Sequence, residues 1–314
     1  MPTSNHTIIV YNRNVRLNVR IWGAFSPERP VLVLVHGFPD NSLVWSDIAE
    51  RLMGRYCIVA PDVRGAGGSD IPVRTRDYHL EYLVEDLAAV INTVSPNQPV
   101  HLAGHDWGSI QCWEAVTTPL LQGRIASFTS ISGPSLDHAA FWMQQTFQGP
   151  HDQARRQRVL NQLLHSWYIA SFHLPLVPRL TWRLAFNKWP ESVATLHSAL
   201  QREQFPTQAS DGLHGIKLYR ANFLKRLFRP EGRWTDVPVQ LVVPTEDIFV
   251  TPGLFDDLAG WAPNLWRRDV RAGHWVQLSH PDLIAGYLRE FITLLESGEP
   301  SAGLLNARIK PATD

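Results

Sequence analysis

The sequence predicts an α/β protein: a mostly parallel eight-stranded sheet flanked by helices, with a helical segment inserted between its two halves. Three observations carry this. The apolar runs VLVLVHG (31–37), YCIVAPD (56–62) and HLAGHD (101–106) lack polar alternation, as strands buried on both faces do. Between the second and third, Leu80, Leu83, Val84, Leu87, Val90, Ile91 and Val94 fall on one face at helical spacing, which gives a crossover helix. Strand–helix alternation then stops near Pro134 and resumes about a hundred residues later.

Taken in order, HTIIVY (6–11) and RLNVRIW (16–22) alternate apolar with polar residues, as an antiparallel opening pair would. The run FTSISG (128–133) closes the first half of the sheet. Residues 134–233 carry no clear strand, several Trp and Phe residues, and prolines at 150, 175, 178, 190 and 206, so they read as a helical cap. VPVQLVVPTED (237–247) and LWRRDVRAGHW (265–275) supply two more strands. A helix over 281–296 turns Leu283, Ile284, Tyr287, Leu288, Phe291 and Ile292 inward. The expected organisation is a core of 1–133 and 234–298, a cap of 134–233, and a turn-rich tail or truncated linker at 299–314.

Composition excludes several function classes. With 29 Lys+Arg against 29 Asp+Glu there is no net field to attract nucleic acid or an acidic membrane. No stretch reaches the length of a membrane span, and MPTSNHTIIVYNRN lacks the basic start and apolar core of a secretory signal, so a cytoplasmic location is expected. Cys57 and Cys112 sit in apolar surroundings and read as small buried hydrophobes rather than a disulfide. The glycine-rich RGAGGSD (64–70) lacks the spacing of a dinucleotide-binding turn.

The chemistry centres on HLAGHDWGSIQCW (101–113), a strand that runs through a tight turn into a helix. Gly104 and Gly108 flank Asp106 two residues away on each side, the pattern of a nucleophile elbow, which lifts the central side chain above the sheet edge. Ser109 lies one residue beyond Gly108, on the helix, so a serine esterase is excluded. A helix N-terminus favours an ionised carboxylate, which makes Asp106 a ready anion. A carboxylate gains little by attacking an ester, but it displaces leaving groups from saturated carbon and so forms an alkyl-enzyme ester.

Clearing that ester needs water and a base. In hydrolases built on such an elbow the partners follow as acid, then histidine. PTED places Asp247 just past a strand, with Glu246 beside it, and RAGHW places His274 at the end of the next strand. His274, rather than His280 or one of the other histidines, would take the proton from water, and Asp247 would fix its tautomer. His36 and His105 read as structural.

HGFPD (36–40), GHDWG (104–108), TED before IFVTP, and GHW together resemble the epoxide hydrolases of the α/β-hydrolase fold, with haloalkane dehalogenases as close relatives. The resemblance runs from about residue 6 to 297, more loosely in the cap. It implies that the backbone N–H groups of Phe38 and Trp107 form an oxyanion hole, that the peptide before Pro39 is cis, and that there is no cofactor. It also implies a pair of cap tyrosines that protonate the epoxide oxygen. Tyr168 in SWYIASFHLP and Tyr219 in GIKLYRAN match them. A tyrosine among cap aromatics also packs in its own right.

The dehalogenase alternative needs two halide donors, and Phe38 stands where Asn is common in that family, while Trp107 occurs in both. A third alternative, a hydrolase-fold binding protein without turnover, would be expected to lack one of Asp106, Asp247 and His274, and all three are present. The expected partner is a small apolar epoxide, drawn into a pocket lined by the cap tryptophans 142, 167, 182 and 189. GHDWGSIQCWEAVT and HGIKLYRANFLKRL further resemble the hydrolase part of bacterial two-domain proteins whose second half is similar to a short-chain dehydrogenase. On that resemblance lipid-like epoxides become expected substrates.

Overall fold

A computed structural model describes residues 5–149, 152–174, 180 and 206–309. Its centre is a single sheet in the order β1-β2-β4-β3-β5-β6-β7-β8-β9. The hairpin β1 (His6–Asn12) and β2 (Val15–Trp22) pairs antiparallel onto β4 (Cys57–Pro61). The neighbouring β3 (Val31–Val35), β5 (Val100–His105), β6 (Ile125–Ile131), β7 (Val239–Pro244) and β8 (Leu265–Val270) continue the sheet in parallel.

Period-two alternation along β3 feeds two cores. Val33 and Val35 pack with Leu87 and Ile91 of α2 (Leu80–Val94) and Trp113 of α3 (Trp107–Thr117). Leu32 and Leu34 face the other way, onto Ile48 of α1 (Ser46–Leu52) and Leu288 and Ile292 of a C-terminal helix over Pro281–Ser297. Each such fully buried aliphatic side chain contributes about 1.5–3 kcal/mol of transfer free energy. The free cysteines Cys57 and Cys112 are both buried.

Chain order positions the site. From β3 the chain moves outward to β4, and α2 then carries it back across to β5 on the other side. The loops after β3 and β5 therefore diverge at a topological switch point, where open α/β sheets leave a crevice at the carboxyl ends of the strands. Residues 36–39 and Asp106 follow those two strands.

Among the described residues of 134–233 there is no strand, and the regular structure is helical, including α4 (Leu136–Gln148), α5 (Gln153–His165), α6 (Trp167–His173) and α7 (Gln208–Phe228). α7 returns to the core with three buried polar anchors on one face. Asp211 accepts from Asn41 Nδ2 at 3.1 Å, Asn222 accepts from the Leu80 N–H at 2.9 Å, and Arg226 reaches Glu114 at 3.0 Å and Asp137 at 3.3 Å.

The structure corrects three expectations. The sheet has nine strands rather than eight, because β9 (Arg308–Ile309) pairs antiparallel with β8. The described part of the expected tail, 299–309, is accordingly not a plain tail: Ser301 caps a short helix over Ala302–Ala307 whose Leu304 is fully buried. Six residues are too few to show periodicity in a sequence. The strand expected over 265–275 ends at Val270, and the following residues turn out of the sheet, which brings His274 to within 3.7 Å of Asp106.

Candidate active site

The elbow is present in full. Asp106 adopts φ 51 and ψ −122 between β5 and α3, a left-handed conformation that a side chain other than glycine tolerates at a cost. Its flanking glycines are sterically required. A Cβ at Gly104 would stand 2.6 Å from the Gly108 carbonyl carbon, and one at Gly108 would strike the Val35 carbonyl oxygen. The Phe38–Pro39 peptide is cis.

The Asp106 carboxylate is buried and its two oxygens have different surroundings. Oδ1 accepts the Phe38 N–H at 2.8 Å. Oδ2 lies 3.7 Å from Nε2 of His274. Burial pushes the carboxyl up to about 6, against the pull of His274 and the N–H groups of Phe38 and Trp107. The helix terminus alone therefore does not set its charge, as the sequence suggested. Desolvation outweighs it, although most molecules remain ionised above neutrality.

Behind His274 stands Asp247, whose Oδ2 accepts from Nδ1 at 2.8 Å. Its Oδ1 accepts the N–H groups of Phe249 and Val250 at 2.8 and 3.0 Å, an Asx turn that fixes the carboxylate. Burial opposes charge on both partners. On His274 the Asp247, Asp106 and Asp40 carboxylates overcome it and raise the imidazole, while on Asp247 the imidazole and the turn amides hold the carboxyl below its ordinary range. Glu246 points away into a surface ion pair with Arg271, and His280 bonds Ser279 at the exterior.

Tyr168 of α6 and Tyr219 of α7 meet opposite the carboxylate, with ring centroids 6.1 Å apart. The Trp107 ring packs edge-on against Tyr219, with centroids 4.8 Å apart. Burial, reinforced by the Asp106 charge, raises both phenols far above their ordinary range. The Phe38 ring packs on Phe172 at 5.7 Å and on Tyr219 at 5.4 Å, forming one apolar wall.

The structure thus brings Asp106, Asp247, His274, Tyr168, Tyr219 and the Phe38 and Trp107 amides into one crevice. The cap tryptophans are a correction. Trp142 packs with Val159 and Leu254 in a separate cluster and Trp167 is 71% exposed, so neither lines this crevice, while 182 and 189 lie outside the described residues.

The profile of the alpha/beta hydrolase fold family matches residues 30–281. The chain belongs to the alpha/beta hydrolase fold family. It is 36% identical over 320 residues to the probable oxidoreductase EphD of Mycobacterium tuberculosis, which covers 98% of this chain and 53% of that protein. The hydrolase-fold chain therefore spans about half the length of that relative. It is 28% identical over 329 residues to epoxide hydrolase A of the same organism, covering 92% and 97% of the two chains. In fold it is similar to the crystal structure of an epoxide hydrolase of Bacillus megaterium, with TM-score 0.74 at 21% identity over 92% of this chain and all of the other.

Three contacts of this hydrolase-fold site were not legible in the sequence. The Phe249 ring stands between Tyr168, at 5.5 Å, and His274, at 5.1 Å. Asp40 accepts from the Trp275 indole at 2.8 Å. His105, which burial pushes down to about 3 and so keeps neutral, bonds the His274 carbonyl oxygen at 2.9 Å. Each joins residues far apart in the chain, and only the place of Asp40 and His105 inside the motifs hinted at a role. Among the described residues no group of three or more metal-ligating side chains occurs, and no helix is long and apolar enough to cross a membrane.

Proposed function

We propose that this chain is an epoxide hydrolase, converting an apolar epoxide to a vicinal diol through an alkyl ester on Asp106. The observation that carries the reading is the pair of protonated phenols of half-buried Tyr168 and buried Tyr219 set against an ionised, half-tethered carboxylate. An opening epoxide must acquire a proton on oxygen, and phenols this far above their ordinary pKa keep theirs until an alkoxide forms.

The tether selects the attacking atom. Oδ1 is held by the Phe38 N–H, so Oδ2 attacks the ring carbon from the side opposite the breaking C–O bond, and the departing oxygen takes a proton from Tyr168 or Tyr219. Oδ1 becomes the ester carbonyl oxygen, already in contact with the amide that will stabilise it as an oxyanion. Esterification also removes a negative charge 3.7 Å from His274, which lowers that imidazole's pKa and frees it as a base.

Water then attacks Cγ of Asp106, its proton passing to Nε2 of His274 while Asp247 stabilises the imidazolium. The tetrahedral species collapses, the diol oxygen takes the proton from His274, and the regenerated Asp106 carboxylic acid returns one proton to the tyrosinate. That last transfer is downhill, because burial holds the phenols far above a carboxyl near 6.

Trp107 argues against the dehalogenase alternative. Its ring packs edge-on against Tyr219 at 4.8 Å, and position 38 offers a ring rather than a second side-chain donor. The apolar preference rests on the walls of Phe38, Phe172 and Phe249. Assaying one aryl epoxide and one haloalkane side by side tests the reading: diol without halide supports it, and halide at comparable rate overturns it.

A further inference from the structure

Gln162, on the cap helix α5, is tied to the backbone of the loop that carries Asp247. Its Nε2 donates to the Phe249 carbonyl oxygen at 2.9 Å, and its Oε1 accepts the Thr251 N–H at 2.8 Å. The side-chain amide thus pairs with residues 249 and 251 as a neighbouring strand would. Two further bonds complete it, from Thr251 Oγ1 to Oε1 at 2.7 Å and from Nε2 to Ser166 Oγ at 2.9 Å. Gln162 is 3% exposed, so little water competes for these groups.

One turn later on α5, His165 Nδ1 bonds the Ile248 carbonyl oxygen at 3.0 Å. The loop 247–251 is therefore held from two sides. Its N–H groups at 249 and 250 hold the Asp247 carboxylate, and its carbonyls at 248 and 249 hold the cap. Ser166, the residue Gln162 grips, immediately precedes α6, whose second residue is Tyr168. The Phe249 ring lies between the Tyr168 and His274 rings.

We infer that Gln162 is a positioning residue for both halves of the reaction, setting Asp247 and hence His274 through the loop, and Tyr168 through Ser166. The inference rests on the hydrolase reading above. It assigns no contact between Gln162 and substrate. Its effect is to keep the proton donor on the cap and the acid–base pair on the core in one geometry.

The test is Gln162→Met, which keeps side-chain length and removes every bond, with Thr251→Val as a milder variant that loses a single one. Near-UV circular dichroism confirms folding. With styrene oxide as the probe, single-turnover kinetics should show ester formation and ester hydrolysis each slowed about tenfold in Gln162→Met, with KM within about twofold. Both should move in the same direction, but less, in Thr251→Val.

A readout without substrate separates the inference from the hydrolase reading. The groups facing His274 are the carboxylates of Asp247, Asp106 and Asp40 and the His105 imidazole, with the Phe249 and Trp275 rings beside it. Loosening the Asp247 pair should move the His274 NMR titration midpoint to lower pH by about 0.5 in Gln162→Met. Unchanged rates and midpoint with only a lower Tm, or slowing of one step alone, would overturn the inference. If the wild type forms no ester at all, the hydrolase reading fails, and the midpoint by itself decides the positioning claim: lower sustains it, unchanged overturns it.

Discussion

Oδ2 of Asp106 lies 3.7 Å from Nε2 of His274, too far for a hydrogen bond yet close enough to couple their charges. On the proposed mechanism, that spacing leaves His274 free to serve a water molecule once Asp106 is esterified. It makes the two steps of turnover separable by mutation.

Replacing the base should arrest the cycle halfway. In His274→Gln, ester formation is expected to persist while hydrolysis slows by about 10³-fold or more, so the intact protein gains the mass of one epoxide. Asp247→Asn should behave alike, because its oxygen at 2.8 Å fixes the His274 tautomer. Mass spectrometry of the whole protein after mixing with epoxide reads both.

Removing a phenol should slow the other step. Tyr168→Phe or Tyr219→Phe is expected to lower the rate of ester formation about tenfold, and the double variant by about 10³-fold, with hydrolysis of preformed ester little changed. Pre-steady-state fluorescence of Trp107, whose ring centroid is 4.8 Å from that of Tyr219, can follow the step.

The pH dependence has two signs. Asp106 must be ionised to attack, so kcat/KM should fall as pH drops through about 6. His274 must be neutral to hydrolyse the ester, so that rate should rise with pH. Because esterification removes the Asp106 charge, its midpoint should lie below the His274 midpoint of the resting enzyme, which the carboxylates raise. A stopped-flow pH series on the two steps, with an NMR titration of His274, checks both.

Stability should carry the cost of the buried nucleophile. A carboxyl whose folded pKa is raised to about 6 destabilises the folded state above that pH and has no such effect below its ordinary value. Asp106→Asn should therefore be more stable than the wild type at pH 8, by about 1–3 kcal/mol, with the difference shrinking toward pH 4. Urea denaturation at the two pH values measures it. Arg226→Met should act oppositely, losing about 3 kcal/mol by leaving Glu114 and Asp137 with less compensating charge.

How much of this was legible in the sequence follows from the range of each interaction. Local signals read well: the crossover helix Leu80–Val94 announced itself through its spacing, and the elbow through Gly104 and Gly108. Asp247 could be named over its neighbour Glu246, and in the fold it is Asp247 that reaches His274 while Glu246 pairs with Arg271. Contacts such as Gln162 on the 249–251 backbone left no trace, since a buried glutamine on a polar helix is indistinguishable in sequence from an exposed one. The β9 pairing was missed because two residues carry no pattern, and the cap tryptophans misled because an aromatic side chain packs equally well away from a site.

The central claim is that an oxygen of Asp106 is transferred to the substrate, and a single turnover in heavy-oxygen water tests it most directly. With enzyme in excess over epoxide, the account predicts a first diol free of the label and one labelled oxygen in the peptide containing Asp106. Label appearing directly in that first diol, with Asp106 unlabelled, would mean that water attacks the epoxide itself and would contradict the account.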